Sequence, residues 1–315
     1  MSRGLLLLLS ALLLLPAAEA QDCTSVLTEL RGFTSPLFAS HSEFVQVKQD
    51  VLLLLYSRER AVCSTALTNF ASRTLEYLKT MDAAFVLLSS SETEKHREGV
   101  EKAIGAEGII LEMESLAAEL GPVAGDAVFA AEQGRRSLLL ASGMFFERRA
   151  EEAKSTRERL ELLELAILSY GAADSLQAKS LAVRRQNLEE RYTSDMEKAS
   201  RYLDSAVSGL RIAEGLSTSF PGFIDAYGLA RDAIAELRRA QEIYALHSEK
   251  EKLIQVEESL SRAREIYSVT RNRILLLFGV LSAVLTSLAV YIQSRILSWE
   301  KDSYDCSLGN ELVGD

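Results

Sequence analysis

Histidine, cysteine, proline and tryptophan are scarce in this chain of 315 residues: three His, three Cys, four Pro and one Trp. His41, His96 and His247 are scattered, and neither the paired helical spacing of a zinc protease nor the Glu-x-x-His pairs of a di-iron bundle occurs. No metal site is expected. Three cysteines exclude a disulfide-dense scaffold. Phosphate-cradling glycine loops are missing too, since Gly121-Pro122-Val123-Ala124-Gly125 has no strand before it and no Lys-Ser/Thr after it. Serine nucleophile elbows are absent, and the expectation is a non-enzymatic protein without a cofactor. Positive charge is also in deficit. Lys+Arg number 35 against 45 Asp+Glu, a formal charge of −10 that argues against a nucleic-acid partner.

Helix breakers are thinly spread. After residue 20 the prolines are Pro36, Pro122 and Pro221, and no glycine falls within 33–98 or 229–278. An all-β domain needs far more turn residues than this, so the expected class is all-α. Apolar spacing agrees. Leu67, Phe70, Thr74, Tyr77, Met81 and Ala84 advance in steps of three and four, as do Leu188, Tyr192, Met196, Ala199, Leu203, Ala206, Leu210 and Ala213. Phe223, Tyr227, Ala230, Ile234 and Leu237 form a third stripe. The expected architecture is an elongated helical bundle, coiled-coil-like, with helices over about 41–89, 92–120, 123–170, 172–216 and from 222 onward. Ser40-x-x-Glu43 and Ser91-x-x-Glu94 read as capping boxes, and Ser155-x-x-Glu158 as a chance occurrence inside a helix. Seven glycines between 99 and 143 leave short strands at 108–111 or 137–146 as the alternative there.

Long uncharged runs occur at both ends. Arg3, the apolar stretch 5–15, Pro16 and Ala18-Glu19-Ala20 have the three parts of a cleaved secretory signal, residues 1–20. These eleven residues, ten of them apolar, rise only about 16 Å as a helix, roughly half a bilayer core, which disfavours the alternative of an uncleaved anchor. Residues 274–292 form a 19-residue stretch without a charge or a proline, flanked by Arg271, Arg273 and Arg295, with Tyr291 and Trp299 suited to the interface. This reads as a single transmembrane helix in the lipid bilayer. Together the two segments predict a type I protein with residues 21–246 as an extracytoplasmic bundle, 247–273 as a juxtamembrane stem and 293–315 as a short acidic cytoplasmic tail. The basic bias opposes that orientation, because Arg262, Arg264, Arg271 and Arg273 lie on the outer flank. A cleaved signal and a long translocated domain override such a bias.

Under this topology Cys23 and Cys63 form an even pair in an oxidising compartment, and a bridge between them contributes about 4 kcal/mol by loop entropy. Free thiols are the alternative. Gly279, Ala283 and Ser287 recur every four residues, a small-residue stripe that lets another helix approach. Directly above it, Val256, Leu260, Ala263 and Tyr267 form a seam able to continue the pairing as a coiled coil. From 229 to 278 nothing stops a helix except the polar interruption at 247–252, which marks a bend, a change of partner or the exit of the stem. A short similarity, Leu237-x-Arg239-Ala240-x-Glu242-Ile243-Tyr244 and Leu260-x-Arg262-Ala263-x-Glu265-Ile266-Tyr267, crosses that gap.

The expected function is a membrane-anchored scaffold or partner-binding protein, oligomeric with itself or with another membrane protein through stem and span. Two other readings stand beside it. One is a sensor or receptor that passes a helix shift through the membrane; the other is a remodelling or fusion protein that uses the Gly/Ala-rich segment 99–146.

Overall fold

Ser155 is where the chain departs most instructively from its sequence pattern. Its Oγ accepts from the Glu158 amide at 3.2 Å, and the Glu158 carboxylate accepts from the Lys154 amide at 3.2 Å. This is a working capping box that starts a new helix, so the expected helix over 123–170 is two. The computed structural model describes residues 23–58 and 64–311, with side chains for 24–58 and 64–299. Among them ten helices and no strands occur: α1 (Cys23–Gly32), α2 (Leu37–Ser40), α3 (Ser42–Arg58), α4 (Thr65–Leu88), α5 (Thr93–Leu120), α6 (Pro122–Glu152), α7 (Thr156–Ala172), α8 (Gln177–Leu216), α9 (Gly222–Leu246) and α10 (Lys250–Glu311). The protein is all-α. Residues 108–111 and 137–146 are helical, which removes the strand alternative. The expected secretory signal at 1–20 and Cys63 lie outside the described residues, and with Cys63 the expected Cys23–Cys63 pairing; Cys23 opens α1.

The chain divides into two compact units at residues 189 and 190. In the first, successive long helices run antiparallel. Arg73 of α4 meets Glu112 of α5 at 2.7 Å, Arg135 of α6 meets Glu107 of α5 at 3.5 Å, and Arg136 of α6 meets Asp174 beyond α7 at 2.9 Å. Gly121, at φ +95°, ends α5 and precedes Pro122 at the first turn of α6, so one left-handed residue makes the reversal. Ser64 caps α4 by accepting from the Leu67 amide at 3.3 Å. The two expected boxes, at Ser40 and Ser91, are not caps: α5 is preceded by Glu92, and His41 lies between α2 and α3.

Close packing explains three glycines in this unit, Gly99, Gly134 and Gly143. The fully buried Phe44 ring stacks on Tyr77 at 6.0 Å between centroids, and a Cβ at Gly134 would stand 2.8 Å from its Cζ. Gly143 meets the buried Tyr170 ring in the same way, at 2.7 Å. Tyr77 donates to the Ala131 carbonyl at 2.5 Å, and Tyr170 to Glu147 at 3.1 Å, so neither ring is free to yield. Gly143→Ala is therefore expected to destabilise the chain by about 1–2 kcal/mol, because overpacking outweighs the helix propensity gained. Gly105→Ala, where nothing lies within 4 Å, should stabilise it by roughly 0.5–1 kcal/mol. Thermal melts of the two variants check the opposite signs.

The second unit is a three-helix arrangement built largely on alanine. Ala199, Ala206 and Ala213 of α8, Ala226, Ala230, Ala233 and Ala240 of α9 and Ala263 of α10 are buried together with Leu203, Leu210, Leu237, Val256 and Leu260. The helix expected from 222 onward is not continuous. Helix α9 ends at Leu246, Ser248 takes φ +58°, and α10 turns back, so that Tyr227 stacks on Tyr267 at 4.8 Å while the Glu249 amide bonds the Tyr244 carbonyl. The polar interruption at 247–252 is thus a reversal of the chain. It is tied down by Tyr192 donating to Glu249 at 2.6 Å and by His247 against Asp195 at 3.3 Å. Both halves of the short internal similarity face this core: Leu237, Ala240 and Tyr244 from α9, and Leu260 and Ala263 from α10.

Candidate membrane-proximal site

Helix α10 has two environments along one unbroken length. Val256, Leu260, Ala263 and Thr270 are fully or nearly fully buried against α8 and α9, and Tyr267 is half-buried on Tyr227. The seam expected as an oligomerisation surface is accordingly filled by the chain's own helices. Beyond Thr270 the cover thins, and after the half-buried Ile274 and Leu277 it ends. Leu275, Leu276, Phe278, Leu281, Val284, Leu285, Leu288 and Val290 are each at least half exposed. Covering one such side chain is worth about 1.5–3 kcal/mol, so this surface requires an apolar environment. By length and composition α10 is able to cross a membrane, and it is the one described helix that qualifies. Gly279, Ala283 and Ser287 lie exposed within it, with nothing within 4 Å of the Gly279 Cβ position.

At the point where α10 leaves the bundle, the turn between α8 and α9 lies beside it. Arg262 pairs with Glu214, and the Arg273 guanidinium donates to the Ser217 carbonyl, drawing the turn against α10. The Tyr227 and Tyr267 hydroxyls share a hydrogen bond at 3.0 Å. That bond, with burial and the neighbouring phenol, raises the Tyr227 pKa above its ordinary value. Thr218, Ser219, Phe220 and Phe223 face Arg273, Leu276, Leu277 and Val280 across a groove of about 420 Å³. Phe223 is buried at the base, whereas Phe220 is 72% exposed at the rim. Sequence reasoning missed this site. The signal for it is present: residues 215–224, GLSTSFPGFI, are ten positions without a charge in a chain one quarter charged.

The first unit offers polar chemistry of a structural kind. Arg135, 3% exposed, bonds Glu132 at 3.0 Å, and Arg136 bonds the same carboxylate at 2.7 Å. Burial pushes the Glu132 carboxyl up, but the two guanidinium groups outweigh it and hold the pKa below the usual value. Tyr170 is pushed up to about 12 by burial and by its bond to Glu147. Among the described residues no group of three His, Cys, Asp or Glu is placed to hold a metal ion.

His96 is buried, stacked on Phe145 at 3.8 Å and edge-on to Phe146 at 5.2 Å, and its Nε2 has no partner among the described residues. Burial lowers its pKa, although the Ser90 carbonyl acts in the opposite direction. The unfolded chain then binds a proton more readily than the folded one, so stability is full above about pH 6.5 and is lost as the pH falls below it. Melts between pH 7.5 and 5.5 should show this decline, and His96→Phe should flatten it.

No family model matches the chain, and comparison with curated proteins and with solved structures likewise finds no match.

Proposed function

We propose that this protein is a membrane-anchored helical scaffold or partner-binding protein, non-enzymatic, with its bundle on the extracytoplasmic side and a short cytoplasmic tail. The observation that supports the reading is α10. The same helix that supplies the third wall of the second unit continues without a break into an uncovered apolar surface. A bundle built this way is joined to the bilayer by helical backbone, and a partner bound to the bundle is held close to the membrane. The small-residue face at Gly279, Ala283 and Ser287 is where a second membrane helix would pack, since the seam above it is occupied within the chain.

The Gly/Ala-rich segment 99–146 is less suited to membrane insertion. Its apolar residues, among them Val100, Ala106, Leu139 and Phe146, already form the interior of the first unit.

The orientation is tested with Cys306 in the tail. A membrane-impermeant maleimide applied to intact cells should leave Cys306 unlabelled until the membrane is permeabilised, with Cys306→Ser as control. Labelling of Cys306 on intact cells would reverse the orientation.

A further inference from the structure

The α8–α9 turn lies at the same end of the second unit as the exit of α10, and the groove between them follows α10 past Arg273 as far as Val280. Six residues separate Ile274 from Val280, a rise of about 9 Å along a helix. If residues 274–292 lie in lipid, the groove starts among the headgroups and ends among the acyl chains. Its walls suit that depth. Leu276, Leu277, Val280 and Phe223 are apolar, and no carboxylate lines it. Phe220 at the rim is 72% exposed and Ile224, in the first turn of α9, is 48% exposed. Two exposed large apolar side chains on a charge-free turn are unfavourable in water and favourable in an interface.

The mouth carries one cation. Arg273 lines the groove, and its bond to Ser217 fixes the guanidinium while leaving further N–H donors. Among the described residues it has no carboxylate partner within an ion-pair distance. A fixed guanidinium is suited to a phosphate group. Below the groove, Leu276, Val280, Ala283 and Ser287 advance by four, three and four, so the lower end opens onto the small-residue face of α10. The volume, about 420 Å³, is within the roughly 300–1,000 Å³ typical of small-ligand sites.

We propose that the α8–α9 turn is a second membrane contact: Phe220 and Ile224 enter the lipid interface, and the groove beside α10 holds an acyl chain of a bordering phospholipid whose phosphate meets Arg273. The proposal rests on residues 274–292 being the span. The turn then gives the bundle two points of attachment to the bilayer, the helix that crosses and the loop that dips, and the pair restricts tilting of the bundle about its exit point.

The test uses the full chain in phosphatidylcholine/phosphatidylglycerol vesicles, with Phe220→Trp introduced beside Trp299→Phe so that position 220 carries the sole indole. Lipids brominated near the glycerol end of the chain are expected to remove most of the emission from position 220, and lipids brominated near the chain terminus much less. Ile224→Trp in the same Trp299→Phe background should behave alike, and Arg273→Gln should reduce the phospholipid retained per chain after detergent extraction. Unquenched emission from both positions, in variants that still resist carbonate extraction, would overturn the second contact and leave the span intact. A concentration-dependent shift of unquenched emission from position 220 would overturn it as well, and would assign the groove to a second copy of the chain. Loss of carbonate resistance in the Trp299→Phe parent itself would overturn the span.

Discussion

A chain carrying both Leu281→Arg and Leu285→Arg is expected in the supernatant of an alkaline-carbonate extraction, whereas the unsubstituted protein stays in the pellet. The two positions flank the midpoint of residues 274–292, where a guanidinium is farthest from either interface. On the insertion scale each exchange moves a residue from about −0.5 to about +3 kcal/mol, so the pair costs about 7 kcal/mol. That is some five orders of magnitude in the partition between membrane and water. Neither side chain packs against the bundle, since both are more than half exposed, and the melting of the helical units should be unchanged. A double variant that remained in the pellet would remove residues 274–292 as the anchor.

The second large effect belongs to the core of the first unit. Phe44→Ala should lose about 3–5 kcal/mol, a large part of the roughly 5–15 kcal/mol by which a domain is usually stable. Phe44 is fully buried, stacks on Tyr77, meets His41 edge-on at 6.1 Å and covers Gly134. Its contact with glycine supplies a sharper test than truncation alone. With the ring gone, a methyl at Gly134 enters the vacated space and gains helix propensity as well. Gly134→Ala should therefore destabilise the unsubstituted protein and partly rescue Phe44→Ala, an opposite-sign coupling that a double-mutant cycle in denaturant reads directly. Equal effects of Gly134→Ala in both backgrounds would mean that α3 and α6 do not meet there.

Much of the helical core is legible from spacing. Leu67, Phe70, Thr74, Tyr77, Met81 and Ala84 are all fully buried on one face of α4, and Ala199, Leu203, Ala206, Leu210 and Ala213 line α8 in the second unit. Periodicity reports which face is covered. It does not report where a helix ends, because an apolar stripe on each side of a short break can remain in phase. The pattern across 41–89 and 123–170 therefore reads as continuous, while the structure has α3 and α4 in the first and the Ser155 cap in the second. The two short helices α1 and α2 carry too few turns to show a stripe.

The larger discrepancy is at 247–252. A polar interruption in a helical seam is compatible with a bend, an exit or a reversal, and nothing local distinguishes them. What selects the reversal is tertiary: Tyr192 and Asp195 on α8 meet Glu249 and His247 and satisfy the polar groups of the turn. The same reversal turns the stem seam inward. Val256, Leu260 and Ala263 are legible as a buried face, but their partners are α8 and α9 of the same chain. The groove at Phe220 escapes a sequence reading for a related reason. Its two walls are at least fifty residues apart in sequence, and only the fold of the second unit brings Ser217 to Arg273.

One distance tests the central claim most directly. Spin labels placed by unnatural amino acids at Glu258, exposed on the bundle part of α10, and at Gln293, just past the apolar stretch, are separated by 35 residues. In the full chain in lipid nanodiscs, a continuous helix predicts a narrow distribution centred at about 53 Å, at 1.5 Å per residue. A clearly shorter or broad distribution would show that the helix breaks at the membrane, and that the wall of the bundle and the crossing segment are not one element.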